Sequence, residues 1–173
     1  MPSGSPDPPR NGSMRWNACG KNTTPGEELL SRDFVEFIEL LNSNSVRYLV
    51  AGRYAVAFHG PPRYTKDLEV WVQRSPDNAH NLLKALDAFG FGSVDISEED
   101  FLKENHVIQL GYPPNRIDLL TSLKGVIFDA CYASKIQAEV SGIPIDFIDI
   151  DSLKRNKLAS GRPQDIADVE NLQ

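Results

Sequence analysis

The residues of this chain with the clearest capacity for chemistry are carboxylates at short, regular spacing. Asp67 and Glu69 are separated by one residue in Asp67–Val72, DLEVWV, a run rich in residues that favour strands. Positions i and i+2 of a strand share a face, so both carboxylates converge on one side with Trp71, while Leu68, Val70 and Val72 form the other. Anions held this close repel, and a divalent cation or a basic group is the usual compensation. Asp118, between Ile117 and Leu119 in a second strand-like run, becomes a third oxygen donor if its strand lies beside Asp67–Val72. A cluster of that kind suits Mg²⁺, because paired ions can orient a nucleoside triphosphate, activate an attacking hydroxyl and stabilise departing pyrophosphate. The plain alternative has Asp67 capping a turn, Glu69 in solvent and Asp118 paired with Arg116 or another base. A rival group, Asp146, Asp149 and Asp151, reads better as helix capping, with Asp151 at the N-cap and Asp149 exposed.

Other residues are suited to phosphate. Gly52, in Val50–Val56 (VAGRYAV), joins a strand run to a helix, where a close backbone approach and free N–H groups favour an anion. A single Gly is also ordinary turn punctuation. Arg63, Lys66, Lys154, Lys157 and Arg162 are candidates for phosphate or RNA contacts, against a default of solvated surface. Neither GxxxxGK[ST] nor GxGxxG occurs, which removes support for P-loop and dinucleotide-type phosphate binding. His59, just before Gly60, reads as an imidazole bonding a turn rather than as a general base.

The elements that must position these groups follow from periodicity. Thr24-Pro25-Gly26-Glu27 has the form of a capping box, and Leu29, Leu30, Phe34, Phe37, Ile38 and Leu41 recur at helical spacing to about Asn44. A strand over Val46–Val50 and a helix around Tyr54–Phe58, broken by Pro61-Pro62, lead to the acidic strand. A helix over Asn78–Phe89 and a short acidic helix near Glu98–Lys103 follow. His106–Leu110 and Arg116–Leu120 flank the turn GYPPN, and a helix around Val126–Ala133 comes next. Ile136–Val140 and Pro144–Ile148 form a hairpin across Ser141-Gly142, before helices over Asp151–Ala159 and Pro163–Leu172. Helices alternating with strands, then strands joined by short turns, predict an α/β (α+β) class: a mixed β-sheet flanked by helices.

At 173 residues there is room for one ordinary domain, here 24–173, behind a Pro-, Gly- and Ser-rich lead-in, 1–23, expected to be flexible. A formal charge of -6 argues against broad electrostatic capture of nucleic acid or an anionic membrane. There is no apolar run of membrane-spanning length and no secretory signal pattern. The two cysteines, Cys19 and Cys131, form neither a disulfide framework nor a zinc pattern, and the expected location is cytoplasmic.

Three segments taken in order carry more than their separate chemistry: YLVAGRYAVAFHGPPRYTKDLEVWV, GYPPNRIDLLTSLKGVIFD and SLKRNKLASGRPQDIADVENL. From about Phe34 to Leu172 the chain resembles a bacterial nucleotidyltransferase-like family of the DNA polymerase β-like superfamily. That family is related to abortive-infection type II toxins and to minimal nucleotidyltransferases of toxin–antitoxin pairs. The resemblance implies the DNA polymerase β-like nucleotidyltransferase fold, two Mg²⁺ ions and a nucleoside triphosphate donor. It places Asp67 and Glu69 on the first acidic pair, Asp118 on the third acid and Gly52 on the triphosphate-cradling turn. Lys157, Arg162 and Asp165 match a C-terminal K…GR..D signature, and Arg53, Arg63 and Thr65 complete the nucleotide-binding candidates. The implied partners are a tRNA or protein acceptor and a cognate toxin or antitoxin. Two positions depart from the family pattern: Arg53 replaces a second small turn residue, and Glu69 stands where Asp is commoner. The fold expectation is unaffected by either; a non-catalytic nucleotide- or partner-binding module is the alternative they leave open.

Overall fold

The computed structural model describes residues 15–16, 31–61, 65–112 and 115–172. The first half contains β1 (Arg15–Trp16), α1 (Arg32–Ser43), β2 (Tyr48–Ala51), α2 (Gly52–His59), β3 (Asp67–Val72) and α3 (Pro76–Leu86). The second contains β4 (Val107–Leu110), β5 (Arg116–Leu120), α4 (Phe128–Ala133), β6 (Ile136–Val140), β7 (Ile143–Phe147), α5 (Ile150–Ser160) and α6 (Pro163–Asn171). Among the described residues the strands form one mixed sheet in the order β1-β6-β7-β2-β3-β5-β4. Strands β3 and β5 run parallel, as do β2 and β7, whereas β2–β3, β4–β5 and β6–β7 are antiparallel. This is the predicted α+β arrangement. Of the lead-in only β1 is described, in parallel register with Glu139 and Val140 of β6.

Local chemistry sets the element ends. Helix α1 starts after Ser31, whose hydroxyl accepts the Phe34 N–H at 3.3 Å. The expected capping box at Thr24 lies outside the described residues. Ser75 caps α3 in the same way, with Pro76 at the first helical position. That helix ends at Leu86 rather than Phe89, because the chain passes into a wider turn, Asp87–Phe91, with Gly90 at φ 109°. The β6–β7 hairpin turns through Ser141 and Gly142, both at positive φ (51° and 84°), the geometry that matches the twist of the paired strands.

The sheet is covered on both faces. Leu68, Val70 and Val72 pack into a core with Phe34, Phe37, Ile38 and Leu41 of α1 and Leu82 of α3. On the opposite face Trp71 joins Phe128 of α4, Leu153 of α5 and Leu172, with the Trp71 and Phe128 rings edge to face at 5.1 Å. The acidic face of β3 is therefore dry at its Trp71 end and open at its Asp67 end. No helix among the described residues is long and apolar enough to cross a membrane.

Asn78 fixes the far end of the β2–β3 pair. Its amide oxygen accepts the Arg47 N–H at 2.7 Å, and its amide nitrogen donates to the carbonyls of Arg47 (3.1 Å) and Gln73 (2.9 Å). Removing this buried amide strands several backbone groups. Asn78→Ala should lower stability by about 1–3 kcal/mol, read as a shift in urea midpoint at unchanged slope.

Candidate active site

The β3–β5 register decides the site. Glu69 pairs with Asp118 and Asp67 with Arg116, so four side chains occupy adjacent places on one sheet face. The three carboxylates face one cavity, and Asp118 is almost fully buried, at 8% exposure. They line a cavity of about 310 Å³ with Arg53, Arg116, Lys157, Arg162, Gln164, Asp165 and Asp168.

Arg116 stands between two of the acids. One of its terminal nitrogens donates to Asp67 Oδ2 and Asp118 Oδ2, each at 3.3 Å. Its Nε lies 3.1 Å from Asp118 Oδ1, yet among the described residues neither atom has a hydrogen-bond partner: the N–H is not aimed at the oxygen. Burial raises the pKa of Asp118; the Arg116 charge opposes that rise and the Asp67 carboxylate adds to it. The pairing of Asp118 with Arg116, the plain alternative read from sequence, is thus present together with the cluster.

Glu69 is held differently. Gly52, the first residue of α2, has φ 60°, and a Cβ there would overlap the Glu69 carboxylate. The left-handed backbone favours glycine, and any side chain there would displace the Glu69 carboxylate from its present position. Glu69 Oε2 accepts the Arg53 N–H at 3.2 Å, so the N-terminus of α2 faces this carboxylate. The Arg53 side chain is exposed at the cavity.

The C-terminal hairpin α5–α6 supplies the other wall. Gly161, at φ 67°, ends α5, and Pro163 opens α6. Lys157, expected to contact the nucleotide, is instead buried and engaged by carboxylates: its Nζ lies 3.0 Å from Asp165 Oδ1 and 3.3 Å from Asp168 Oδ2. Arg162 Nε donates to Asp165 Oδ2 at 2.8 Å, while three quarters of its side chain is exposed (75%). Burial disfavours ionised Asp165, but the bonds from Arg162 and Lys157 outweigh it and hold its pKa below the usual carboxylate value. Asp168 was not among the sequence candidates. Its spacing of i+3 from Asp165 on α6 is the available signal, since that spacing shares a helix face.

The remaining candidates lie elsewhere. Thr65 is buried and its hydroxyl donates to the Asp67 carbonyl at 3.5 Å, away from the cavity lining. Arg63 lies outside the described residues. His59 bonds the Ile148 carbonyl through Nε2 at 2.6 Å, the structural role expected of it. In the rival acidic group the cap is Asp149, not Asp151: α5 starts at Ile150, and Asp149 accepts the Ser152 N–H at 2.9 Å. Asp146 is occupied by Lys135 at 2.9 Å and Gln137 at 3.0 Å.

The donor set is chemically suited to a hard divalent cation, with three carboxylate side chains at neighbouring strand positions. Among the described residues, however, no three His, Cys, Asp or Glu side chains are disposed as a ready metal cage. Arg116 is paired with Asp67 and Asp118, and Glu69 is bonded to the α2 N-terminus.

No family model and no curated protein matches the chain. Among solved structures, the fold is shared with a Thermotoga maritima protein whose nucleotidyltransferase assignment is itself provisional. The two superpose with a TM-score of 0.56 at 13% identity, over 80% of this chain and 89% of that one. This likeness shows that the two chains share an α+β fold built on a mixed sheet.

Two tests follow from the packing. Lys157→Met leaves two buried carboxylates without their shared cation and should cost about 3–5 kcal/mol in chemical denaturation. Arg162→Met, at the exposed rim, should cost about 1 kcal/mol or less. His59 has a pKa lowered from 6.5, with burial as the main cause, partly opposed by the Ile148 bond and the Asp149 charge. The unfolded chain therefore takes up the proton first as pH falls, so this contribution is full above 6.5 and is lost as pH drops toward the lower folded-state value. Between about pH 7 and about pH 5, wild type should lose more urea stability than the non-titrating His59→Gln.

Proposed function

We propose that the protein is a Mg²⁺-dependent nucleotidyltransferase that moves a nucleoside monophosphate from a triphosphate to a hydroxyl of RNA or protein. The observation that carries the reading is the register of Glu69 against Asp118, which gathers three carboxylates at a cavity also lined by Arg53, Lys157 and Arg162. Asp67, Glu69 and Asp118 would hold Mg²⁺, which when bound supplies charge neutralisation for the triphosphate and its leaving pyrophosphate. Arg53 and Arg162, exposed at the cavity, bind phosphate oxygens. Lys157 and Asp165 keep Arg162 and the α5–α6 wall in place. Asp118, ionised at the cavity, accepts the proton of the attacking hydroxyl. That oxygen bonds to the α-phosphorus as the bond to the β-phosphate oxygen breaks. A place in a toxin–antitoxin or phage-defence system belongs to the same proposal.

A second reading, a non-catalytic nucleotide- or partner-binding module, is favoured by the Arg116 bridge across Asp67 and Asp118. Incubation with each labelled triphosphate, Mg²⁺ and total tRNA or cell extract separates the two. Transfer should yield a labelled product whose formation falls about 10²–10⁴-fold in Asp118→Asn. Absence of product, with magnesium-dependent nucleotide binding missing in calorimetry and unchanged by Asp67→Ala, would sink the enzyme reading.

A further inference from the structure

We propose that Arg116 is the resident counter-cation of the acidic cluster, and that a divalent ion and the nucleotide displace it together. This inference rests on the nucleotidyltransferase reading and concerns how that same site is loaded. Arg116 is placed by the sheet itself: it pairs with Asp67 across β3–β5 and lies two residues before Asp118 on its own strand. Its guanidinium spans both acids, so a cation entering between Asp67 and Asp118 meets a positive charge already there.

The grip is built to be exchanged. Its hydrogen bonds to Asp67 and Asp118, at 3.3 Å, are long for charge-assisted contacts, whereas Arg162 meets Asp165 at 2.8 Å. Asp118 Oδ1 is buried at the cavity without a hydrogen bond, although Arg116 Nε is 3.1 Å away. That oxygen is met by charge rather than by a directed hydrogen bond, a looser hold than buried carboxylate oxygens usually have. The freed guanidinium has a destination as well. Arg116 lines the same cavity as the exposed Arg53 and Arg162, so an incoming phosphate completes an arginine cluster as it draws Arg116 off the carboxylates.

The consequence is thermodynamic coupling. Metal alone competes with Arg116, and phosphate alone competes with the carboxylates for Arg116. The two together exchange partners without leaving a buried charge unpaired, so each tightens the other by the same factor. Arg116 then protects the empty site from adventitious divalent ions and reserves it for the metal–nucleotide pair.

The test uses Mn²⁺ as a spectroscopic stand-in for Mg²⁺, with free Mn²⁺ read by its paramagnetic resonance signal. Wild type should bind Mn²⁺ weakly alone and about tenfold or more tightly with a non-hydrolysable ATP analogue. Arg116→Gln should bind Mn²⁺ about tenfold or more tightly than wild type without nucleotide, and should lose most of the coupling. Arg116→Lys, which keeps the charge, should stay weak in the absence of nucleotide. Equal Mn²⁺ affinity in wild type and Arg116→Gln, abolished in both by Asp118→Asn, would overturn the inference and leave the metal site standing. Absence of Mn²⁺ binding in every variant, with and without the analogue, would overturn the metal-site reading and this inference with it. Should Arg116→Gln fail to fold, wild type decides alone: Mn²⁺ affinity unmoved by the analogue overturns the coupling.

Discussion

The structure turns on the pairing of β3 with β5. Parallel register sets Glu69 against Asp118 and Asp67 against Arg116, which concentrates three negative charges and one positive charge on a patch of sheet a few residues across. A one-residue slip of either strand would send its pair of charged side chains into the opposite core, beside Phe34, Phe37 and Leu82. Burial of Leu68, Val70, Ile117 and Leu119 forbids that slip. The hydrophobic face thus fixes the polar one: the aliphatic residues between the acids hold the acids in register.

Charge repulsion within the patch is then relieved from three directions. Arg116 reaches Asp67 and Asp118 from within the sheet. The N-terminus of α2 approaches Glu69, which is possible because Gly52 has no side chain to intervene. The α5–α6 hairpin adds Arg162 at the rim and keeps Lys157 neutralised inside by Asp165 and Asp168. Each device has a different strength. The Lys157 network is buried, so it acts as structure; Arg116 is partly open and loosely directed, so it can change partners. Arg53, conspicuous in sequence as bulk beside the glycine turn, contributes its backbone N–H to Glu69 while its side chain faces outward. The turn therefore tolerates it.

Much of this was legible in the sequence because it is local. The period-two pattern of Asp67–Val72 and Arg116–Leu120 determined both strands and which side chains share a face, and the Ser141-Gly142 turn marked its hairpin. Errors fell at element ends, where one hydrogen bond decides: the cap of α5 at Asp149, and the passage of α3 into a wider turn at Asp87. Lys157 illustrates a different failure. Nothing in SLKRNKLAS tells which lysine is buried, because its partners, Asp165 and Asp168, belong to the next helix and meet it only when the two helices fold back.

What the sequence determined by itself, then, is the inventory: three carboxylates on strand faces, a glycine at a strand–helix junction and a basic C-terminal segment. Only the tertiary structure decided which of them meet and what each meets. Strand order is set by long-range burial, so β5 lies beside β3 with β2 on its other side, and no local pattern encodes that adjacency. The same adjacency made Arg116, in sequence only a candidate partner for Asp118, the cation shared by Asp67 and Asp118. Its charge matters there because burial removes the water that would otherwise screen Asp118 from it.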